Sequence, residues 1–370
     1  MYDKDDCESR RSYIRRRLRK SKVSQYSATQ DRNNTAPSLV DLRSDTVTRP
    51  DPAMRAAMAA AEVGDDVYGE DPTVTRLEAV LAERLGKDAG LFLPSGTQSN
   101  LIALLSHCGR GEEVITGRDY HIFKYEAGGA SVLGGCMFDP LTVAPDGGLE
   151  AEDVAAAIKE DDPHHPVSRL LSLENTHNGK AVPLPRCTAA TEAARQAGLS
   201  THLDGARFFN ASIALQCGEQ ALAAPFDTVS ICLSKGLGAP VGSVLVGEAD
   251  LLAKARRLRK MLGGGMRQAG VLAAAGLYAL DHNVSRLAED HMRAQTLAEA
   301  LTRAGVGDVA FGTNMIFWTP MEDTRSELVN RLLDAGVTLN VPATGPIRMV
   351  LHKDVTESDF EALLQVIQGV

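Results

Sequence analysis

From about residue 40 onward, short runs of apolar residues alternate with longer stretches in which apolar positions recur every three or four residues. The short runs have the length of buried strands, and the longer stretches have the period of amphipathic helices. Val74, Leu77, Leu81 and Leu85 share one helical face, with Asp71-Pro72 as a start signal and Gly86 as a stop. Residues 90–93 read as a strand, followed by Pro94-Ser95-Gly96-Thr97 and a helix through 101–105. Residues 170–173, 199–203 and 229–233 are further strands, and the Gly/Val-rich run 241–246 suits another. The first three end on polar groups: Glu174-Asn175-Thr176-His177, Asp204, and Ser234-Lys235. Open α/β sheets place their ligands at such strand ends. Residues 266–304 read as one long Ala/Leu-rich helix. A strand near 315–318, a helix near 326–334, a strand near 348–351 and a final helix from Glu357 follow. The pattern predicts an α/β domain with a mostly parallel sheet over 39–280 and a smaller α+β domain over 281–370.

Composition narrows the class. The chain has 370 residues, 44% hydrophobic and 24% charged, ordinary for a globular protein and wrong for a collagen, a coiled coil or a mainly disordered chain. No run reaches the roughly 18 apolar residues of a membrane span. The formal net charge of −9 argues against nucleic acid as the main partner of the folded body. The charge is uneven: residues 1–38 carry 10 Lys/Arg against 5 Asp/Glu, with seven of the basic residues between Arg11 and Lys22. The Ser/Thr/Asn/Gln/Pro-rich stretch 23–38 reads as a linker, so 1–38 is expected to be a disordered basic extension. Asp3, Asp5, Asp6 and Glu8 are wrong for an organellar transit peptide. If the tail were instead a polyanion-binding element, deleting it would abolish function. Cys7, Cys108, Cys136, Cys187, Cys217 and Cys232 form no CxxC pair and no zinc-ligand spacing. They read as reduced thiols of a cytoplasmic protein, with no metal site.

Candidate chemistry gathers at the strand ends. A lysine between a buried strand and the glycine-rich turn Ser234-Lys235-Gly236-Leu237-Gly238 is partly desolvated, which makes its amine nucleophilic toward a carbonyl; taken alone, it reads first as a surface lysine at a strand end. Asp204, in His-Leu-Asp-Gly-Ala-Arg, could hold a pyridine nitrogen protonated, and Arg207 can face the same space. Ser95-Gly96-Thr97 at a helix start suits a phosphate, though it is also an ordinary cap. His121 has the flat side chain to stack on a ring, and His177, after a strand, is placed for proton transfer. Arg348 could clamp a carboxylate, with Ser44 as a second contact. The run Gly263-Gly264-Gly265-Met266-Arg267 is a flexible turn or presents Arg267 to a phosphate.

These stretches, together with Asp41-Leu42-Arg43-Ser44-Asp45-Thr46, Asp65-Asp66-Val67-Tyr68-Gly69 and Tyr125-Glu126-Ala127-Gly128-Gly129, resemble the low-specificity L-threonine aldolases. The resemblance covers residues 40–370. It implies the aspartate aminotransferase fold (fold type I) and pyridoxal 5′-phosphate as cofactor. It also implies reversible retro-aldol cleavage of L-threonine, L-allo-threonine and other β-hydroxy-α-amino acids to glycine and an aldehyde. By resemblance, Lys235 carries the cofactor, Asp204 pairs with its ring nitrogen, Arg207 contacts its O3′, and His121 stacks on the ring. Gly96 and Thr97 hold its phosphate, and Arg267 reaches it from a neighbouring subunit. Ser44, Arg207 and Arg348 bind the substrate carboxylate, His177 meets the β-hydroxyl, and Tyr68 lines the site from the partner in a homotetramer. The Arg348 segment and the 1–38 extension depart from the family pattern. β-Elimination or transamination would use the same Lys235 and Asp204.

Overall fold

The computed structural model of this chain describes residues 40–322 and 325–369. The expected extension over 1–38 lies outside the described residues. The chain enters through a two-residue strand β1 (Val40–Asp41). Seven strands then build the main sheet: β2 (Ala89–Leu93), β3 (Glu113–Gly117), β4 (Met137–Leu141), β5 (Ser168–Glu174), β6 (Ser200–Gly205), β7 (Thr228–Cys232) and β8 (Ser243–Gly247). Their spatial order is β2-β8-β7-β6-β5-β3-β4. The pairs from β7 to β4 are parallel, and β8 runs antiparallel to both its neighbours. The expected mostly parallel α/β sheet is therefore present. Every residue of β3, β7 and β8 is buried, as helices on both faces require.

Local signals account for the helix ends. Asp71 accepts from the N–H groups of Thr73 and Val74, Pro72 opens helix Pro72–Leu85, and Gly86 closes it at φ +65°. Val74, Leu77, Leu81 and Leu85 all reach the main core. The expected single helix over 266–304 is instead two, Gly270–His282 and Leu287–Arg303. Asn283 stops the first, and its Nδ2 donates to the Leu237 carbonyl at 2.7 Å. The apolar period is alike on both sides of the break, so periodicity does not reveal it. Ala273, Ala275, Ala279 and Leu280 of the first helix face the main core. Ala294, Leu297, Ala298 and Leu301 of the second belong to a separate one.

That second core also holds Val40, Leu42 and the fully buried Trp318. It is built on an antiparallel sheet of β9 (Gly307–Gly312), β10 (Met315–Pro320) and β12 (Ile347–Val350), with β10 central. A short strand β11 (Val337–Thr338) pairs in parallel with β1. Leu42 donates to the Thr338 carbonyl and accepts from Val350 N–H. The segment after β1 is thus anchored in the second core, and the residues that follow it, Ser44 to Thr48, reach back to the main sheet.

Candidate active site

Parallel register sets the first constraint. Glu174 lies opposite Asp204, and Asp204 opposite Ser230, so the ends of β5, β6 and β7 converge. Gly96, Thr97, His121, Asp204 and Lys235 line one cavity there, with Thr46, Asn100 and Glu126 beside them. It holds about 520 Å³ of empty space, part of it open to solvent. Thr48 Oγ1 donates to the Lys235 carbonyl at 2.8 Å, tying the lysine turn to the segment from β1.

Helix Gly96–His107 opens at the cavity wall. Ser95 caps it by accepting from Gln98 N–H, which leaves the N–H groups of Gly96 and Thr97 at the mouth. The glycine run after helix Ala249–Met261 presses on this start: a Cβ on Gly264 would stand 2.0 Å from Gln98 Oε1.

The floor is acidic. Asp204 is buried, accepting from Asn100 Nδ2 at 3.0 Å and from Ala206 N–H at 3.0 Å. Burial pushes its carboxyl up, to about 6, and the charges of Glu174 and Glu126 add to that; Lys235 and His121 oppose it. His121 Nδ1 lies 2.8 Å from Glu126 Oε1, and this hydrogen bond, opposed by burial, raises the imidazole above its ordinary value. Ligand-type atoms of His121, Glu126 and Asp204 all lie within 4.8 Å of one another.

The remaining residues singled out from the sequence do not line the cavity. Arg207 forks onto Asp45, Nε to Oδ2 at 2.7 Å and Nη2 to Oδ1 at 2.6 Å. Ser44 caps the turn Asp45–Val47 and accepts from the Thr46 hydroxyl at 2.9 Å. Arg348 Nη2 donates to the Arg43 carbonyl at 3.1 Å, beside Ser44. His177 is buried, with Nδ1 2.9 Å from Glu174 Oε1 and Nε2 3.0 Å from Asn178 Nδ2. The other oxygen of Glu174 takes the His121 backbone N–H at 2.6 Å, so one carboxylate ties both histidines together. Tyr68 is 76% exposed, and Arg267 pairs with Asp65 at 2.9 Å near it.

The beta-eliminating lyase family matches residues 41–321. The low-specificity L-threonine aldolase of Escherichia coli K12 is 52% identical over 322 residues, spanning 87% of this chain and 96% of its own length. The chain belongs to the low-specificity L-threonine aldolases. A solved threonine aldolase from Leishmania major superposes with a TM-score of 0.77 at 23% identity, covering 89% of this chain and 99% of its own. A chain solved as SPT with PLP superposes at 0.71 and 17% identity, covering 100% of this chain and 98% of its own. This threonine aldolase thus shares the fold of the pyridoxal-phosphate enzymes of fold type I.

Sequence reasoning missed three polar residues of this candidate site, Asp45, Asn100 and Glu126, and read Glu174 only as a polar strand end. Asp45 and Glu126 lie inside motif stretches; in the first only Ser44 was singled out, and in the second no residue was. Asn100 stands four residues after Gly96, one helical turn on, which was the available signal.

Proposed function

We propose that this chain is a pyridoxal-phosphate-dependent aldolase that splits L-threonine, L-allo-threonine and other β-hydroxy-α-amino acids reversibly into glycine and an aldehyde. Asp204 carries the reading. It is a buried carboxylate at a cavity that also receives Lys235, and among the described residues no Lys or Arg side chain pairs with it. Such a group needs a cationic partner, and a protonated ring nitrogen is one. The fit extends to other residues that line the cavity. First-turn N–H groups of Gly96 and Thr97 suit a phosphate, and a Cβ on Gly96 would stand 3.5 Å from Ser243 Oγ, a buried hydroxyl with no partner.

When bound, pyridoxal phosphate supplies a ring that accepts the electron pair of the breaking Cα–Cβ bond. Lys235 would hold it through its amine, Asp204 would keep its nitrogen protonated, and His121 would pack against its ring. Ser44, Arg207 and Arg348 bind the substrate carboxylate. Arg207 has N–H groups to spare, because a guanidinium offers five and the contacts to Asp45 use only its Nε and one Nη2 hydrogen. His177 handles the β-hydroxyl proton, directly or through water. For that, the Asn178 amide must release Nε2 while Glu174 holds the proton on Nδ1.

Tyr68 and Arg267 complete the site of a partner chain in a homotetramer. The exposure of Tyr68 (76%), Met261 (77%) and Val132 (75%) supports apolar contact surfaces, and sedimentation equilibrium tests the stoichiometry. Among the described residues no helix is long and apolar enough to cross a membrane, in keeping with the cytoplasmic location we propose. The deciding assay incubates the purified chain with pyridoxal phosphate and L-threonine. Acetaldehyde and glycine are expected; a 2-oxo acid with ammonia would mean β-elimination instead. The yellow colour of the loaded protein should vanish in Lys235→Ala.

A further inference from the structure

Behind Asp204 a line of buried side chains runs from helix Gly96–His107 through β6 to β7. Asn100 Nδ2 donates to Glu126 Oε1 at 2.8 Å and to Asp204 Oδ2 at 3.0 Å. Its Oδ1 faces His202 Nε2 at 3.3 Å. His202 Nδ1 lies 2.8 Å from Thr228 Oγ1, which in turn lies 2.9 Å from His107 Nε2. Asn100, His202 and Thr228 are all buried. We infer that His202 and Asn100 are positioning residues, which fix the direction of the protons reaching Asp204 and so its grip on the cofactor's ring nitrogen.

The order of protons follows from chemistry. Two carboxylate oxygens can be met only by the NH₂ end of the Asn100 amide, so its oxygen must face His202. The Nε2–H form of His202 meets that oxygen and leaves Nδ1 as an acceptor toward Thr228. The Thr228 hydroxyl donates to Nδ1 and accepts from His107 Nε2–H. Each link dictates the next: His107 to Thr228, Thr228 to His202, His202 to Asn100, and Asn100 to both carboxylates. A protonated His202 would break the chain, since both its nitrogens would donate. Burial pushes His202 down to about 3 and His107 to about 4, so both are neutral near pH 7.

The line matters because Asp204 stands among opposing influences. Glu174 and Glu126 face it as like charges, with Lys235 and His121 as opposite ones. Donation from Asn100 to an ionised oxygen favours the charged form. It also prevents the carboxylate from turning away from the cavity. An Asn100 free to flip would present its oxygen to Asp204 and repel it.

The inference rests on the cofactor reading, but its first test does not. Histidine ¹⁵N NMR of the unloaded protein at pH 7 should show His202 as the Nε2–H tautomer; an Nδ1–H tautomer overturns the proton order outright. Next, His202→Gln can keep a donor toward Asn100, and His202→Leu cannot. For His202→Leu, the dissociation constant for pyridoxal phosphate should rise at least about tenfold, and the ¹⁵N shift of labelled bound cofactor should move toward the unprotonated ring. His202→Gln should recover most of both. A Leu variant that binds like the wild type with an unchanged shift, or a Gln variant no better than Leu, overturns the inference. Circular dichroism checks folding. If neither His202 variant folds, the near-isosteric Thr228→Val decides: unchanged His202 tautomer and cofactor affinity overturn it. A wild type that takes up no pyridoxal phosphate overturns the cofactor reading, and with it the grip on the ring, while the tautomer remains a separate test of proton order.

Discussion

Replacing Asp45 with alanine should destabilise the fold far more than removing a carboxylate from the surface. Asp45 is fully buried and its partner Arg207 nearly so, with side chains 0% and 13% exposed. Burial pushes the Asp45 carboxyl up. The Arg207 guanidinium more than reverses this, with Lys235 and Asn314 adding to it, and brings it from 3.8 to about 2. That fall is worth about 2.5 kcal/mol. Because the folded value is the lower one, this stability is present above about pH 4 and is lost as pH falls through about 2. Deleting the carboxylate costs more, because Arg207 is left buried and uncompensated, about 3–5 kcal/mol. For 370 residues, 1 kcal/mol corresponds to about 1.3 °C in Tm, so a fall of about 4–6 °C is expected. The assay is thermal unfolding at matched protein concentration, with Asp41→Ala as control. The Asp41–Arg43 pair is partly exposed, at 24% and 34%, and should contribute at most about 1 kcal/mol. A fall for Asp45→Ala no larger than for Asp41→Ala would refute the reasoning.

Gly264→Ala forces a Cβ against Gln98 and should shift the start of helix Gly96–His107, where we propose that a phosphate binds. An increase of about tenfold in the pyridoxal phosphate dissociation constant, read by fluorescence titration, is expected; unchanged affinity counts against that contact. Glu126→Gln should lower the His121 titration midpoint, since the hydrogen bond to Glu126 is what chiefly raises it. In the wild type this pair stabilises below the ordinary histidine value and fades as pH rises through the raised one. An unchanged NMR midpoint would contradict the assignment. In His177→Phe, a large loss of kcat supports a proton-handling role, whereas near-normal kcat with raised KM would remove His177 as the base.

Much of the site was legible because its signals are local. The helix over 72–85 was bounded correctly by Asp71, Pro72 and Gly86, whose capping bonds span a few residues. Asp204 and Lys235 stood out as polar residues ending apolar runs, and parallel neighbours carry such ends to one edge. The Asn283 break was hidden because both halves repeat the same Ala/Leu pattern. The reversed direction of β8 was hidden because a fully buried strand reads alike either way.

By itself, then, the sequence determined many of the elements, the parallel class of sheet and the residue types that stand at strand ends. Each depends on periodicity and on hydrogen bonds within one turn. Tertiary structure alone decided the pairing of Arg207 with Asp45, 162 positions away, the tie from Glu174 to both histidines, and the Asn100 bridge between Glu126 and Asp204, 104 residues from the latter. Those contacts are made where the second core delivers the segment after β1 to the sheet edge and where the Gly96–His107 helix packs over β6. Burial then gives these charges their energies, and no local pattern along the chain reports it.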